Sequence, residues 1–243
     1  MTNNLDKLYS IREAIPKIIK KVIPRFIRQK INKKFFKYYF LITKLKNLPQ
    51  LNYPESGDYE YQKELISIFN EKKSQTSFMT CPHLTELLLM RFKTNENFNF
   101  LDVGGEKIDF YLDLKKKFKN VKYFLFNQKS MTEPFYKIRK ELNINDFYII
   151  DEFSEIFKEN YDFVNFGSCI QYFNNYEELL EKINKISKYI FFSGTHLYDS
   201  DNKIFEKNIV VKQVNVLPTI NYNFFFNIKK FLEIFKKDDF DLL

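Results

Sequence analysis

The chain has 243 residues, with 39 Lys+Arg against 31 Asp+Glu and a formal net charge of +8. At 44% apolar and 29% charged residues the composition is that of a globular protein, which excludes a wholly disordered chain, and the length fits one domain with an extension. The 29 Phe, the 16 Tyr, the absence of Trp and the single alanine, Ala14, together with many Lys, Asn and Ile, suggest AT-rich coding, so no lone aromatic or lysine carries meaning by itself.

The charge is concentrated at the start. Residues 1–48 hold 13 Lys/Arg against Asp6 and Glu13, whereas the remainder carries a small excess of acid. Met1 to Lys7 contains acid and amide with no apolar core segment after it, so no signal peptide is expected, and no run of 18 apolar residues predicts a spanning helix. Within this basic arm Ile11, Ile15, Ile18, Ile19, Val22, Ile23, Phe26 and Ile27 recur at helical spacing, and Pro16 and Pro24 divide the pattern into short helices. A second apolar cluster follows at Phe35 to Leu41. Three readings fit the arm: a helical cap on the body, a peripheral element on an anionic membrane surface, and, less well, a nucleic-acid contact, which has no need of the apolar face.

Residues 49–96 read as a turn-rich linker followed by two helices, about Asp58 to Lys72 and about His83 to Phe92, with Thr80 and Pro82 as start signals for the second. Cys81 and Cys169 have no metal-ligand spacing and make no disulfide framework; a reducing cytoplasm is the expected compartment, with Cys169 a buried thiol.

From residue 97 the chain alternates. Phe98–Val103, Val121–Phe126, Phe147–Ile150, Asp162–Phe166 and Tyr189–Phe192 are short continuous apolar runs, and helical patterns lie between them. Ser130 or Thr132 is expected to cap one helix with Pro134 in its first turn, and Asn175 to open the next. Apolar strands alternating with helices predict an α/β fold with a doubly wound, mostly parallel sheet. Ligands of such sheets bind outside the carboxyl ends of the strands, which selects Asp102 to Glu106, Asn127 and Gln128, Asp151, Gly167 to Tyr172 and Gly194 to His196. Phe224–Phe235 reads as the helix after the fifth strand and Asp239–Leu243 as the beginning of a sixth.

The run Phe100-Leu101-Asp102-Val103-Gly104-Gly105 resembles the first motif of class I S-adenosylmethionine-dependent methyltransferases, and Tyr161 to Tyr172 is similar to their fourth-strand motif. The ending Ser168-x-x-Gln171-Tyr172, with Val211 to Pro218 and the Phe224–Phe235 stretch, resembles a bacterial subgroup associated with surface-polysaccharide gene clusters. The resemblance covers roughly residues 70–243 and implies a Rossmann-like methyltransferase domain over 97–243. Its fold would have seven strands, of which this chain would lack the final antiparallel pair. S-adenosylmethionine is the implied cofactor, a sugar or other small polar acceptor the implied substrate, and the inner membrane face an implied location. Carried onto this chain, the resemblance places Gly104 and Gly105 under the methionine part of the cofactor, with Asp102 ordering the turn. It places Asn127 at the ribose, Asp151 near adenine, and Ser168 and Gln171 on the methyl-donor or acceptor side. Beside the resemblance, His196 reads as a general base or as a surface loop residue, and Tyr172 as an acceptor-orienting or a packing residue. The chain departs from the family at Glu106, where a third glycine is frequent, and at Asn127, where an acid is usual. These departures open a second reading, a non-catalytic scaffold of the same fold. A nicotinamide enzyme is disfavoured because Gly104-Gly105-Glu106-Lys107-Ile108 does not supply G-x-G-x-x-G.

Overall fold

A computed structural model describes residues 40–49, 57–71, 82–199, 208–213, 221–236, 240 and 241. The basic arm through residue 39, Thr80, Cys81 and the segment 214–218 lie outside these residues. The chain divides into two units. The larger comprises residues 54–199 and 226–243, the smaller residues 1–53 and 200–225.

In the larger unit, helices α1 (Tyr59–Glu71) and α2 (Pro82–Arg91) precede strand β2 (Phe98–Val103). There follow α3 (Asp109–Lys117), β3 (Val121–Phe126), α4 (Lys129–Glu141), β4 (Phe147–Ile150), a 3₁₀ turn at Phe153–Lys158, β5 (Tyr161–Gly167), a second 3₁₀ turn at Ile170–Tyr172, α5 (Tyr176–Ile186) and β6 (Ser187–Ser193). The five strands form a parallel sheet in the order β4-β3-β2-β5-β6. The chain thus builds outward from β2 to β4, returns past β2, and continues through β5 to β6. This is the doubly wound α/β arrangement that the alternating pattern predicts, and its switch point lies between β2 and β5.

One face of the sheet is bound together by a row of rings. Phe147, Tyr123, Phe100, Phe163 and Tyr189 occupy matching register on the five strands, with centroids 5.5, 5.4, 5.6 and 6.3 Å apart. Leu65 of α1, Leu84 and Leu88 of α2, Tyr111 and Leu114 of α3, and Phe135 and Ile138 of α4 join these rings in a single core. The opposite face receives α6 (Ile228–Lys236), whose Phe231 and Phe235 meet Phe192 at 5.2 and 5.6 Å.

The start of α4 differs from expectation. The helix begins at Lys129, with Gln128 ahead of it and no side-chain cap from Ser130 or Thr132, so Pro134 falls in its interior. Proline has no N–H for the Ser130 carbonyl four residues back. Gly57 supplies the missing donor, its N–H lying 2.9 Å from that carbonyl. A Cβ on Gly57 would stand 2.6 Å from the Met131 carbonyl and 2.7 Å from the Pro134 ring, so only glycine fits there. Asn175 precedes α5 as expected but caps it with no side-chain hydrogen bond.

In the smaller unit, β1 (Phe40–Ile42), β8 (Ile209–Gln213) and the first five residues of β9 (Asn221–Asn227) pair antiparallel, with β8 in the middle. The last two residues of β9 belong to the larger unit and pair in parallel with β7 (Leu197–Tyr198). The single helix expected over Phe224–Phe235 is therefore a strand followed by a helix. Phe224 and Phe225 lie opposite Val210 and Ile209, and α6 starts only where the Asn227 side chain accepts the Lys229 N–H at 3.0 Å. Phe240 and Asp241 belong to no strand. Among the described residues the parallel sheet has five strands, short of the seven the resemblance implies.

Phe100 is fully buried among Tyr123, Phe163 and Phe110. Phe100→Ala is expected to lower the unfolding free energy by about 3–5 kcal/mol in urea titrations, because the packed row cannot collapse into the vacated volume.

Candidate functional site

The switch point sits where the chain leaves β2 through Gly104 and Gly105 and leaves β5 through Gly167 and Ser168. Beneath the first bend lies Asp102. It is 5% exposed, and both of its carboxylate oxygens are engaged: Tyr123 Oη donates at 2.6 Å and Asn165 Nδ2 at 2.7 Å. Asn165 is its register partner on β5, and Tyr123 reaches it from β3.

The diglycine is required by what lies under it. A Cβ on Gly105 would enter the van der Waals envelope of the Asp102 carboxylate and the Leu125 methyl. Gly104 has φ +76, and a Cβ there would stand 2.6 Å from Cys169 Cβ. Cys169 in turn directs its thiol to the Val103 carbonyl at 3.0 Å. Burial, with Asp102 and Glu106 nearby, pushes the thiol well above its usual pKa, so Cys169 stays protonated and acts as a packing residue, as its sequence setting predicts.

Two side chains brace the loop after the bend. Gln62 of α1, 2% exposed, donates Nε2 to the Glu106 carbonyl at 2.8 Å and accepts the Ile108 N–H at 2.9 Å. Asn127, directly after β3, donates Nδ2 to the Gly105 carbonyl at 2.9 Å and accepts the Gln128 N–H at 2.8 Å. A carboxylate at position 127 could not donate to that carbonyl, which gives the amide a structural reason. The Glu106 side chain is exposed. At Glu106, where the family frequently has glycine, the backbone is thus tethered by Gln62.

At the end of β5, Ser168 takes a left-handed conformation with φ +57 and donates its N–H to the Ser193 carbonyl at 2.7 Å. Gly194, itself at φ +63, lies so close to Ser168 Oγ that no side chain fits there. Gln171 is buried and donates Nε2 to the Ser168 carbonyl at 2.8 Å.

The structure thus places Asp102, Gly104, Gly105, Asn127, Ser168 and Gln171 in one chain of contacts around the switch point. Asp151 adjoins it, since Asn127 N–H reaches the Ile150 carbonyl at 3.3 Å, and Asp151 accepts the Tyr136 hydroxyl at 3.2 Å. Tyr172 is 42% exposed at the end of the second 3₁₀ turn. His196 is half-buried two residues past Gly194, and its carbonyl accepts the Phe226 N–H at 2.8 Å. Sequence reasoning missed Gln62, Tyr123 and Asn165. Gln62 sits three residues before Leu65 on the apolar stripe of α1, which was the available signal.

No family model matches the chain. Protein Ycf2 of Marchantia polymorpha is 28% identical over 178 residues, 70% of this chain, and the chain spans 8% of the length of that relative. Among solved structures the chain is similar to an S-adenosylmethionine-dependent methyltransferase from Clostridium acetobutylicum, with 8% identity, coverage of 74% of this chain and 88% of that one, and a TM-score of 0.48. It is similar also to 1,6-didemethyltoxoflavin-N1-methyltransferase from Burkholderia thailandensis, solved with 1,6-didemethyltoxoflavin and S-adenosylhomocysteine, with 10% identity, coverage of 85% and 90%, and a TM-score of 0.47. A third is coclaurine N-methyltransferase bound to N-methylheliamine and S-adenosylhomocysteine, with 17% identity and a TM-score of 0.43; the match covers 78% of this chain and 62% of that one. The Rossmann-like architecture of this chain stands on its own strand order.

Burial pushes the Asp102 carboxyl up from an ordinary 3.8 to about 6, against the two hydrogen bonds, which lower it, and with a smaller upward push from Asp109. The native state therefore binds this proton more tightly than the unfolded chain does. Its contribution to stability is fullest below pH ~4, declines as the pH rises to about 6, and changes by roughly 3 kcal/mol in total. Asp102→Asn removes the titration and keeps a hydrogen-bonded pair once the Asn165 amide turns over. Urea titrations are expected to show the variant gaining on the parent by about 3 kcal/mol between pH ~4 and pH ~7; a difference that stays level across that range would assign Asp102 an ordinary pKa.

Proposed function

We propose that the chain transfers a methyl group from S-adenosylmethionine to a small polar acceptor, and that the acceptor is a sugar of a surface-glycan precursor. The observation that carries the methyl-transfer reading is the glycine bend at the β2–β5 switch point, where ligands of doubly wound sheets bind. The bend passes over Asp102, Gly104, Gly105 and Gly167 are half-buried, and Glu106 and Ser168 are exposed beside it. The sugar acceptor rests on the sequence resemblance around Ser168, Gln171 and Tyr172.

The cofactor would supply an electrophilic methyl on a sulfonium sulfur. In this reading the thin bend seats its methionine part, and Asn127 and Gln62 hold that bend in place. Asp151 lies toward the adenine end. Ser168 and Gln171 line the methyl-donor or acceptor side, Tyr172 orients the acceptor, and His196 takes the proton from its hydroxyl. The protein's main contribution is alignment and exclusion of water.

A second reading, a scaffold that has lost cofactor affinity, is favoured by Asn127. Each end of its amide makes a hydrogen bond within the chain, which gives it a role in holding the bend that needs no ribose.

Thermal-shift and calorimetric titration of the full chain with S-adenosylmethionine and S-adenosylhomocysteine separate the two. Saturable binding with a raised Tm is expected for the enzyme, and its absence in a folded sample selects the scaffold. Gly167→Ala sharpens the test. A Cβ there stands 3.3 Å from Asn165 Nδ2 and 4.0 Å from Ser193 Oγ, so the amide must give by a few tenths of an ångström; a thermal melt establishes that the variant folds, and its cofactor affinity is expected to fall about tenfold or more.

The basic segment 1–48 would hold such an enzyme at an anionic membrane face, where glycolipid precursors lie. No helix among the described residues is long and apolar enough to cross a membrane. Co-sedimentation of the full chain with anionic vesicles at low salt is the expected result, and a chain left in the supernatant would remove the membrane from the proposal.

A further inference from the structure

Among the described residues two that are not glycine have a positive φ, Asn143 at +49 and Ser168 at +57. Asparagine enters the left-handed region readily and often ends helices there, as Asn143 does just after α4. Serine lacks that tolerance, and Ser168 stands directly after β5, at the switch point.

The chain around it is fitted to this serine. Gly194 is kept bare by the Ser168 Oγ that lies against it. The backbone of Ser168 is held from both sides without the hydroxyl, since its N–H donates to the Ser193 carbonyl at 2.7 Å and its own carbonyl accepts Gln171 Nε2 at 2.8 Å. The hydroxyl reaches that same Ser193 carbonyl at 3.4 Å, and the residue is exposed. A glycine at 168 would take this φ freely and would lift the restriction on 194. What it would not supply is the hydroxyl, and strained residues of this kind gather where a ligand is held.

Two buried oxygens nearby indicate the chemistry of that ligand. Gln171, 1% exposed, gives its Nε2 to the Ser168 carbonyl, and its Oε1 has no hydrogen-bond partner. Asn165, 7% exposed, lies beside Gly167 and gives its Nδ2 to Asp102, and its Oδ1 has no partner either. Both amides are locked in orientation, because a carbonyl and a carboxylate only accept. The unused atoms are therefore acceptors, and each bears an uncompensated loss of hydration until a donor reaches it. An ammonium offers three donors. The Ser168 hydroxyl beside them can donate to a carboxylate. An α-amino acid carries both groups on one carbon.

We propose that Ser168, Gln171 and Asn165 hold the amino-acid end of S-adenosylmethionine: the Ser168 hydroxyl donates to its carboxylate, and Gln171 Oε1 and Asn165 Oδ1 accept from its ammonium. This role rests on the methyl-transfer reading and narrows it, since Ser168 and Gln171 then serve the methyl donor and leave the acceptor to other residues. It also gives the strained serine its reason, because the hydroxyl is retained at a position where glycine would fit the backbone better.

Titration calorimetry of the full chain with S-adenosylhomocysteine and with 5′-methylthioadenosine, which lacks the amino-acid end, reads this out without turnover. Ser168→Gly and Ser168→Ala are each expected to bind S-adenosylhomocysteine about tenfold or more weakly than the parent, while all three proteins bind 5′-methylthioadenosine alike. Melts of the unliganded proteins separate binding from folding. Ser168→Gly should melt a few degrees above Ser168→Ala, because glycine relieves the left-handed backbone and alanine keeps it. Unchanged affinity for S-adenosylhomocysteine in both variants, or an equal loss for both ligands, would overturn the proposal. So would a Ser168→Gly protein that melts below Ser168→Ala, which would make the side chain at 168 a packing element. A folded parent that binds neither ligand would overturn the methyl-transfer reading itself and this role with it.

Discussion

Asp102 lies under Gly105 with one carboxylate oxygen taken by the Tyr123 hydroxyl and the other by the Asn165 amide, and almost none of it reaches solvent. A buried carboxylate needs every one of these donors, because the desolvation it suffers is otherwise uncompensated. The requirement fixes the side chains on three adjacent strands at once, and it leaves no volume for anything larger than hydrogen at position 105. The bend above can therefore pass from β2 into the loop only as bare backbone. Gln62 and Asn127 then supply polar partners that such a loop would otherwise seek from water.

This order of causes separates two explanations for the diglycine. Glycines at the end of a first strand are commonly credited to a ligand that must come close. Here the demand comes from below, from a carboxylate, a leucine methyl and the Cys169 side chain. In the proposed reading a nucleotide would lie over a thin bend that packing already requires, so structure and function would make the same demand of Gly104 and Gly105. They diverge at Asn127, where the packing role is visible and occupies both ends of the amide.

The five parallel strands were legible because each contains a short continuous apolar run, and composition alone sets such runs apart from the amphipathic helices between them. The helix α4 was legible in kind but not in extent: its interior Pro134 is tolerated only because Gly57, far away in sequence, supplies the N–H that proline lacks. The stretch from Phe224 to Phe235 was misread because Phe231 and Phe235 stand at helical spacing while the three consecutive phenylalanines 224–226 fit either element, and only pairing with β8 divides them. Among the site residues, Asp102 and the glycines were found from the strand ends. Gln62 was not, since its partners are the backbone groups of Glu106 and Ile108, which carry no side-chain signature. The register that brings Asn165 beside Asp102 is likewise a property of the assembled sheet.

The hydrogen bond from Gly57 to the carbonyl that Pro134 leaves free has a consequence for how this sequence can drift. Restoring an ordinary residue at 134 would return a donor to the helix and evict the glycine from its seat. Replacing the glycine would strand the carbonyl and press a side chain into the proline ring. Neither position can change gainfully alone, so across descendants of this chain the two should be inherited as a pair, kept together or exchanged together, even though 77 positions separate them in the sequence.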